Sequence, residues 1–256
     1  DTRVTRFDQP LFGDSGHQRG FVMKTYFVRF AVLAVLAALT SASNLIAQNT
    51  ASASLSEADV RQLIVRGEPA DHARLSAHFA TMAQRYATDA KRHESMGQAF
   101  SGNTKLAHIA TSQREHCRQL SVRNLESAAT LRELVAHHTR LAAGAASEPP
   151  KGSERFEAGA GARVPTDAEL TRLAATAETA ADHRALEGYF TSLAARYERE
   201  SKESAVYAIS WRGMSKNPSA PALAANWERL ARQQRESATE ARAAAGMHKD
   251  QATTAK

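Results

Sequence analysis

Residues 71–96 read DHARLSAHFATMAQRYATDAKRHESM, and residues 182–207 read DHRALEGYFTSLAARYERESKESAVY. The two stretches align without gaps at an offset of 111, with eight identities in 26 positions. Asp71-His72 matches Asp182-His183, Leu75, Phe79 and Ala83 match Leu186, Phe190 and Ala194, Arg85-Tyr86 matches Arg196-Tyr197, and Lys91 matches Lys202. At an offset of 110, Leu120 matches Leu230, Glu126-Ser127-Ala128 matches Glu236-Ser237-Ala238, and His138 matches His248. The chain reads as a tandem duplication.

Within each copy the larger side chains return every seven positions. His72, Phe79, Tyr86, His93 and Phe100 share one position, beside Leu75, Met82, Asp89 and Met96; the second copy carries His183, Phe190, Tyr197, Ser204 and Trp211 beside Leu186, Leu193, Glu200, Tyr207 and Met214. A second run in each copy keeps the same period, with Cys117, Asn124, Leu131 and His138 in the first and Trp227, Gln234, Ala241 and His248 in the second. This period places one stripe of each helix on a coiled-coil-like seam. Ser101-Gly102-Asn103 and Lys216-Asn217-Pro218 supply turn residues between the runs. The expected fold is therefore all-α: two tandem antiparallel helical hairpins, either docked as a four-helix bundle or held as two beads on a string.

Composition agrees. The 256 residues include 52 alanines against four isoleucines and eleven valines, which favours helix over strand. A single cysteine excludes a disulfide framework or a Cys-rich zinc domain.

Working outward, each copy begins with a capping pattern, Ser54-Leu55-Ser56-Glu57 and Thr166-Asp167-Ala168-Glu169, that predicts a short leading helix. Gly67 and Pro69 end that helix in the first copy, with the long helix restarting near Ala70; from Thr166 to Tyr207 no comparable breaker is evident, so a continuous helix is expected. Residues 143–165, rich in Ala, Gly, Pro and Glu, read as a flexible linker. Met23 to Gln48 has the layout of a secretory signal: Lys24 and Arg29, the ten-residue apolar run Phe30–Leu39, then small residues, with Ala47 a fair cleavage position. That run is half the roughly 20 residues of a membrane-spanning helix, so no transmembrane segment is expected in the mature chain. Residues 1–22 read as an upstream extension, 23–47 as signal, 48–142 as the first hairpin and 166–256 as the second. The expected location is the periplasm or the exterior of a bacterium. Net charge falls from +6 to +4 once residues 1–47 are set aside, with 28 basic against 24 acidic residues, so no nucleic-acid partner is indicated.

If the first hairpin closes about Lys105, residues whose numbers add to about 210 lie level. His72 then meets His138, His93 lies beside His116 and Cys117, and Tyr86 faces Asn124. In the second copy His183 meets His248, Tyr197 meets Gln234 and Ser204 meets Trp227. Imidazoles on facing helices can hold Zn, Cu or Ni, so His72, His138, His183 and His248 are candidate metal ligands, and one four-histidine cluster would form if the open ends of the hairpins met. His93, His116 and Cys117 are a second candidate set, present only in the first copy. Against both stands the plainer reading of satisfied bundle-end histidines and a buried thiol; Cys117 is otherwise free to pair between chains. Tyr86, Asn124, Tyr197 and Gln234 are read as a structural polar layer that fixes register, and Arg85 and Arg196 as side chains lying along the seam with their heads in water. No catalytic constellation is evident.

The run Asp71-His72, Leu75, Arg85-Tyr86, His93, His116-Cys117, Leu120 and His138 resembles exported bacterial helical-hairpin proteins of uncharacterised function that share a DH…H…HC…H pattern. That resemblance implies export and helix, and no activity. The reading that results is an exported helical-bundle binding or structural protein without catalytic activity, whose partner is itself or another envelope protein. The alternative is a metal-binding or metal-buffering protein that uses the histidine layers with Zn or Cu.

Overall fold

The computed structural model describes residues 55–143 and 165–255. The expected upstream extension and signal (1–22 and 23–47) and nearly all of the expected linker (143–165) lie outside the described residues. Six α-helices and no strand occur among the described residues: α1 (Glu57–Arg66), α2 (Pro69–Gly102), α3 (Ala107–Ala142), α4 (Asp167–Thr176), α5 (Ala180–Arg212) and α6 (Ala220–Thr254). No helix among them is long and apolar enough to cross a membrane.

The long helices form two antiparallel hairpins, α2 with α3 and α5 with α6. A 3₁₀ turn, Thr104–Leu106, closes the first, and the segment between Arg212 and Ala220 closes the second. The hairpins dock, and they dock head to tail. His138 near the open end of the first lies 5.9 Å, ring to ring, from Trp211 at the tip of the second; Phe100 at the tip of the first lies 5.8 Å from His248 at the open end of the second. On the diagonals, Phe79 meets Trp227, Tyr86 meets Gln234 and Phe100 meets His248, so α2 and α6 run parallel across the bundle axis. Tyr197 with Asn124 and Trp211 with His138 give α3 and α5 the same relation.

The short helices cover the α2–α5 side. α1 contacts α2 and α5, and α4 contacts α5 and α2, so each short helix reaches the hairpin it does not precede. Val60, Leu63 and Ile64 of α1 and Leu170, Leu173 and Ala174 of α4 are buried there. Burial at about 25 cal/mol per Å² is what holds helices of ten residues, which are too short to persist alone in water.

Three local expectations are corrected. The first capping box is shifted by two residues: the Ser56 hydroxyl accepts from the Asp59 amide at 3.2 Å, and the Asp59 carboxylate accepts from the Ser56 amide at 3.2 Å. The second copy is not continuous from Thr166 to Tyr207. Helix α4 stops at Thr176, and α5 starts after Thr179, which forms a further capping box with Asp182. The sequence contains this signal as Thr179-Ala180-Ala181-Asp182; a hydroxyl and carboxylate three apart satisfy orphan amides and start a new helix without Gly or Pro. The break is reinforced from outside. Asn103, buried at the first hairpin's tip, donates through Nδ2 to the carbonyls of Ala174 (3.3 Å) and Ala177 (3.2 Å), while its Oδ1 accepts from Lys105 and Leu106. The third correction concerns Arg85 and Arg196, which bond across the hairpin interface as described below.

Candidate functional site

The centre of the bundle is a polar layer built from all four long helices. Its partners differ from those expected within single hairpins. Tyr197 donates to Oδ1 of Asn124 in the other hairpin at 2.8 Å, and Gln234 donates through Nε2 to the Tyr86 hydroxyl at 2.9 Å. The two rings stack at a 6.1 Å centroid separation. The reason is geometric. In an isolated hairpin a seam position faces one helix, but in a docked bundle it points at the axis, where the diagonal helix meets it.

Around this layer lie two carboxylates that the sequence reading placed on the stripe without assigning them a role. Glu200 accepts from Arg85 at 2.6 Å and from the Tyr86 hydroxyl; Asp89 accepts from Arg92 at 2.6 Å and from Arg196. Arg85 and Arg196 thus each pair with a carboxylate of the opposite hairpin, and the Arg196 guanidinium also stacks 4.9 Å above the Tyr197 ring. Both carboxylates are buried, so each would be costly to leave unpaired. A directional chain results, from Ser204 to Gln234 to Tyr86 to Glu200. Ser204 therefore bonds Gln234, and Trp227, its expected partner, packs edge-on against Phe79 and Tyr207 at 5.0 and 4.9 Å. Burial and the Glu200 charge hold the Tyr86 hydroxyl protonated far beyond its ordinary range.

The histidines divide between the two ends. His72 and His138 approach at 3.0 Å through their Nδ1 atoms, and His183 and His248 at 3.2 Å in the same way. Because the hairpins dock head to tail, the pairs do not meet. His72 and Phe100, which mark the two ends on α2, are 28 residues apart, about 42 Å of helix. Two Nδ1 atoms can share one proton only as a donor and an acceptor, so within each pair one ring donates and the other accepts. Burial pushes His138 and His248 down to about 3, and lowers His72.

His93, His116 and Cys117 do not converge either. His93 is fully buried between Tyr189 and Phe190, with neither ring nitrogen bonded to protein, and burial pushes it down to about 3. His116 turns outward to α6. Cys117 is fully buried, with its thiol pushed up to about 12, which removes it from pairing between chains in the folded state. Gly97 makes room for it: a Cβ there would stand 3.3 Å from the Cys117 Cβ. No group of three or more His, Cys, Asp or Glu side chains suited to a metal ion occurs among the described residues.

At the His72 end a cavity of about 500 Å³ opens between the α1–α2 junction and the tip of the second hairpin. Val65 and Met214 give it accessible apolar surface above the buried Ile64 and Trp211, Arg66 and Lys216 supply cationic groups, and the largely buried His72 also lines it. Arg66 is anchored by Asp71, which it holds below the usual carboxylate range. Comparison of the chain with protein families, curated proteins and solved structures finds no match.

Proposed function

We propose that this is an exported, non-catalytic helical-bundle protein, built by tandem duplication, which binds a small amphipathic anion in its end cavity. The carrying observation is the pairing of accessible apolar side chains (Val65, Met214) with Arg66 and Lys216 around about 500 Å³ at one end of the bundle. Ligand sites combine such apolar area with a few placed polar groups. The charged central layer supports this reading, because its ion pairs join the two hairpins whose open end and tip border the cavity. Export rests on the signal-like segment 23–47 and on the resemblance to exported helical-hairpin proteins.

Titration with 1-anilinonaphthalene-8-sulfonate, an aromatic anion, tests the cavity. One site with energy transfer from tryptophan is expected, weakened at least fivefold by Lys216→Glu; an unchanged affinity in that variant refutes the assignment. The mature N-terminus of periplasmic protein, read by mass spectrometry, tests export.

A second reading is favoured by the convergence of imidazole Nδ1 atoms at 3.0 and 3.2 Å: each pair would offer two nitrogen ligands to Zn or Cu. It predicts that His72→Gln with His138→Gln abolishes a metal-induced rise in melting temperature.

A further inference from the structure

Between α3 and α6, at a half-buried place away from the end cavity, three side chains converge. His116 presents Nδ1 to a carboxylate oxygen of Glu240, and its Nε2 lies 3.1 Å from Sδ of Met247, seven residues further along α6. A carboxylate offers only lone pairs, so a neutral His116 held by Glu240 carries its proton on Nδ1. Its Nε2 then turns a bare lone pair toward a thioether, which has no hydrogen to give. Two lone-pair donors thus face the same space, with a carboxylate behind the imidazole. That is how a metal-ligating histidine is oriented by its neighbour.

We propose that His116 Nε2 and Met247 Sδ bind a soft monovalent cation, Cu(I) or Ag(I), with Glu240 as the positioning residue. The thioether selects a soft ion over Mg, Ca or Mn. One carboxylate beside two neutral ligands balances a single positive charge. Met247 has three rotatable side-chain bonds, so moving its sulfur by about half an ångström opens the site to trigonal geometry. The side chains of His116 and Glu240 are 20% and 21% exposed, which leaves a path for the ion and a coordination position for solvent. Only one such site is expected per chain: at the offset of 110, Asn226 stands for His116, and Thr130 and His137 stand for Glu240 and Met247.

The test is Ag(I) calorimetry in chloride-free buffer, with Cu(I) competition against bathocuproine disulfonate, on the full chain. One ion per chain is expected, bound at least tenfold more weakly by Met247→Leu, a change that keeps side-chain volume and helix propensity. Cys117→Ala and the double variant His183→Gln, His248→Gln should leave binding intact, which separates this site from the buried thiol and from the histidine layer at the same end of the bundle. With Cu(I) bound, X-ray absorption should show a sulfur neighbour that Met247→Leu removes. Absence of binding at micromolar ion, or equal binding by a folded Met247→Leu chain, overturns the assignment.

Discussion

Arg85 closes on Glu200 at 2.6 Å across the interface between the two hairpins. The pair is asymmetric: the arginine side chain is 43% exposed and the carboxylate 8%. Removing the arginine therefore leaves Glu200 with the Tyr86 hydroxyl and with Arg196, whose Nε lies 3.7 Å away. Removing the carboxylate strips a charged acceptor from two donors at once. Hydrogen bonds to charged groups contribute about 1.5–3 kcal/mol. Glu200→Ala should lower the urea midpoint by an amount equivalent to about 2 kcal/mol, and Arg85→Ala by less than half of that. Equal losses in the two variants would contradict the asymmetry.

Asn103 ties the first hairpin's tip to the end of α4 through two hydrogen bonds and caps its own turn through two more. Asn103→Asp keeps the two acceptor bonds but sets a carboxylate against two carbonyls. Asn103→Ala loses all four, at a cost of about 2–3 kcal/mol for the buried groups left unpaired. Hydrogen exchange should accelerate selectively in α4 in both variants, with Asn103→Asp at least as severe. Protection of α4 unchanged in either would show that its apolar face alone docks it.

Acid should unfold the protein through its histidines. Burial lowers His72, takes His78 to about 4, and takes His93, His138 and His248 to about 3. The unfolded chain, with ordinary histidine values near 6.5, binds these protons first. Stability is thus full above about pH 6.5 and falls as pH drops toward the folded values, by up to about 1.4 kcal/mol per pH unit for each histidine. Melting temperature measured from pH 7.5 to 4.5 should decline steeply below 6.5, and His93→Phe should flatten the decline. A level curve to pH 4.5 would contradict it.

The Cys117 thiol, buried beside Gly97, should resist Ellman's reagent in the native state and react only as the bundle opens. Its rate should follow denaturant concentration. Immediate stoichiometric labelling at pH 7.5 would show the layer to be open.

The hairpins were legible because a seven-residue period and two turns determine which helices are neighbours and which residues lie level; His72 opposite His138 follows from that alone. The partners of Tyr86 and Tyr197 were not. Register within a hairpin carries no information about how a second hairpin docks, and head-to-tail docking moves the amide partners to the diagonal. Arg85 and Arg196 flank the stripe, where a long charged side chain ordinarily reaches water. The arrival of Glu200 and Asp89 from the other hairpin gives them close buried partners. The start of α5 at Thr179 was legible in principle, but Thr-x-x-Asp inside an alanine-rich helical run is a quieter signal than Gly-x-Pro. The outward turn of His116 toward Met247 had no sequence signal, because the two residues belong to different hairpins and neither lies on the same stripe.

Each leading helix crosses to the hairpin that it does not precede. A half of this chain made alone would therefore leave one flank of its short helix uncovered, and would deprive Asp89 or Glu200 of the arginine that reaches it from the other hairpin. Such halves are built to pair with one another, and they should come apart together. Heating the intact chain should give one calorimetric transition whose van't Hoff and calorimetric enthalpies agree, where two independent hairpins would give two.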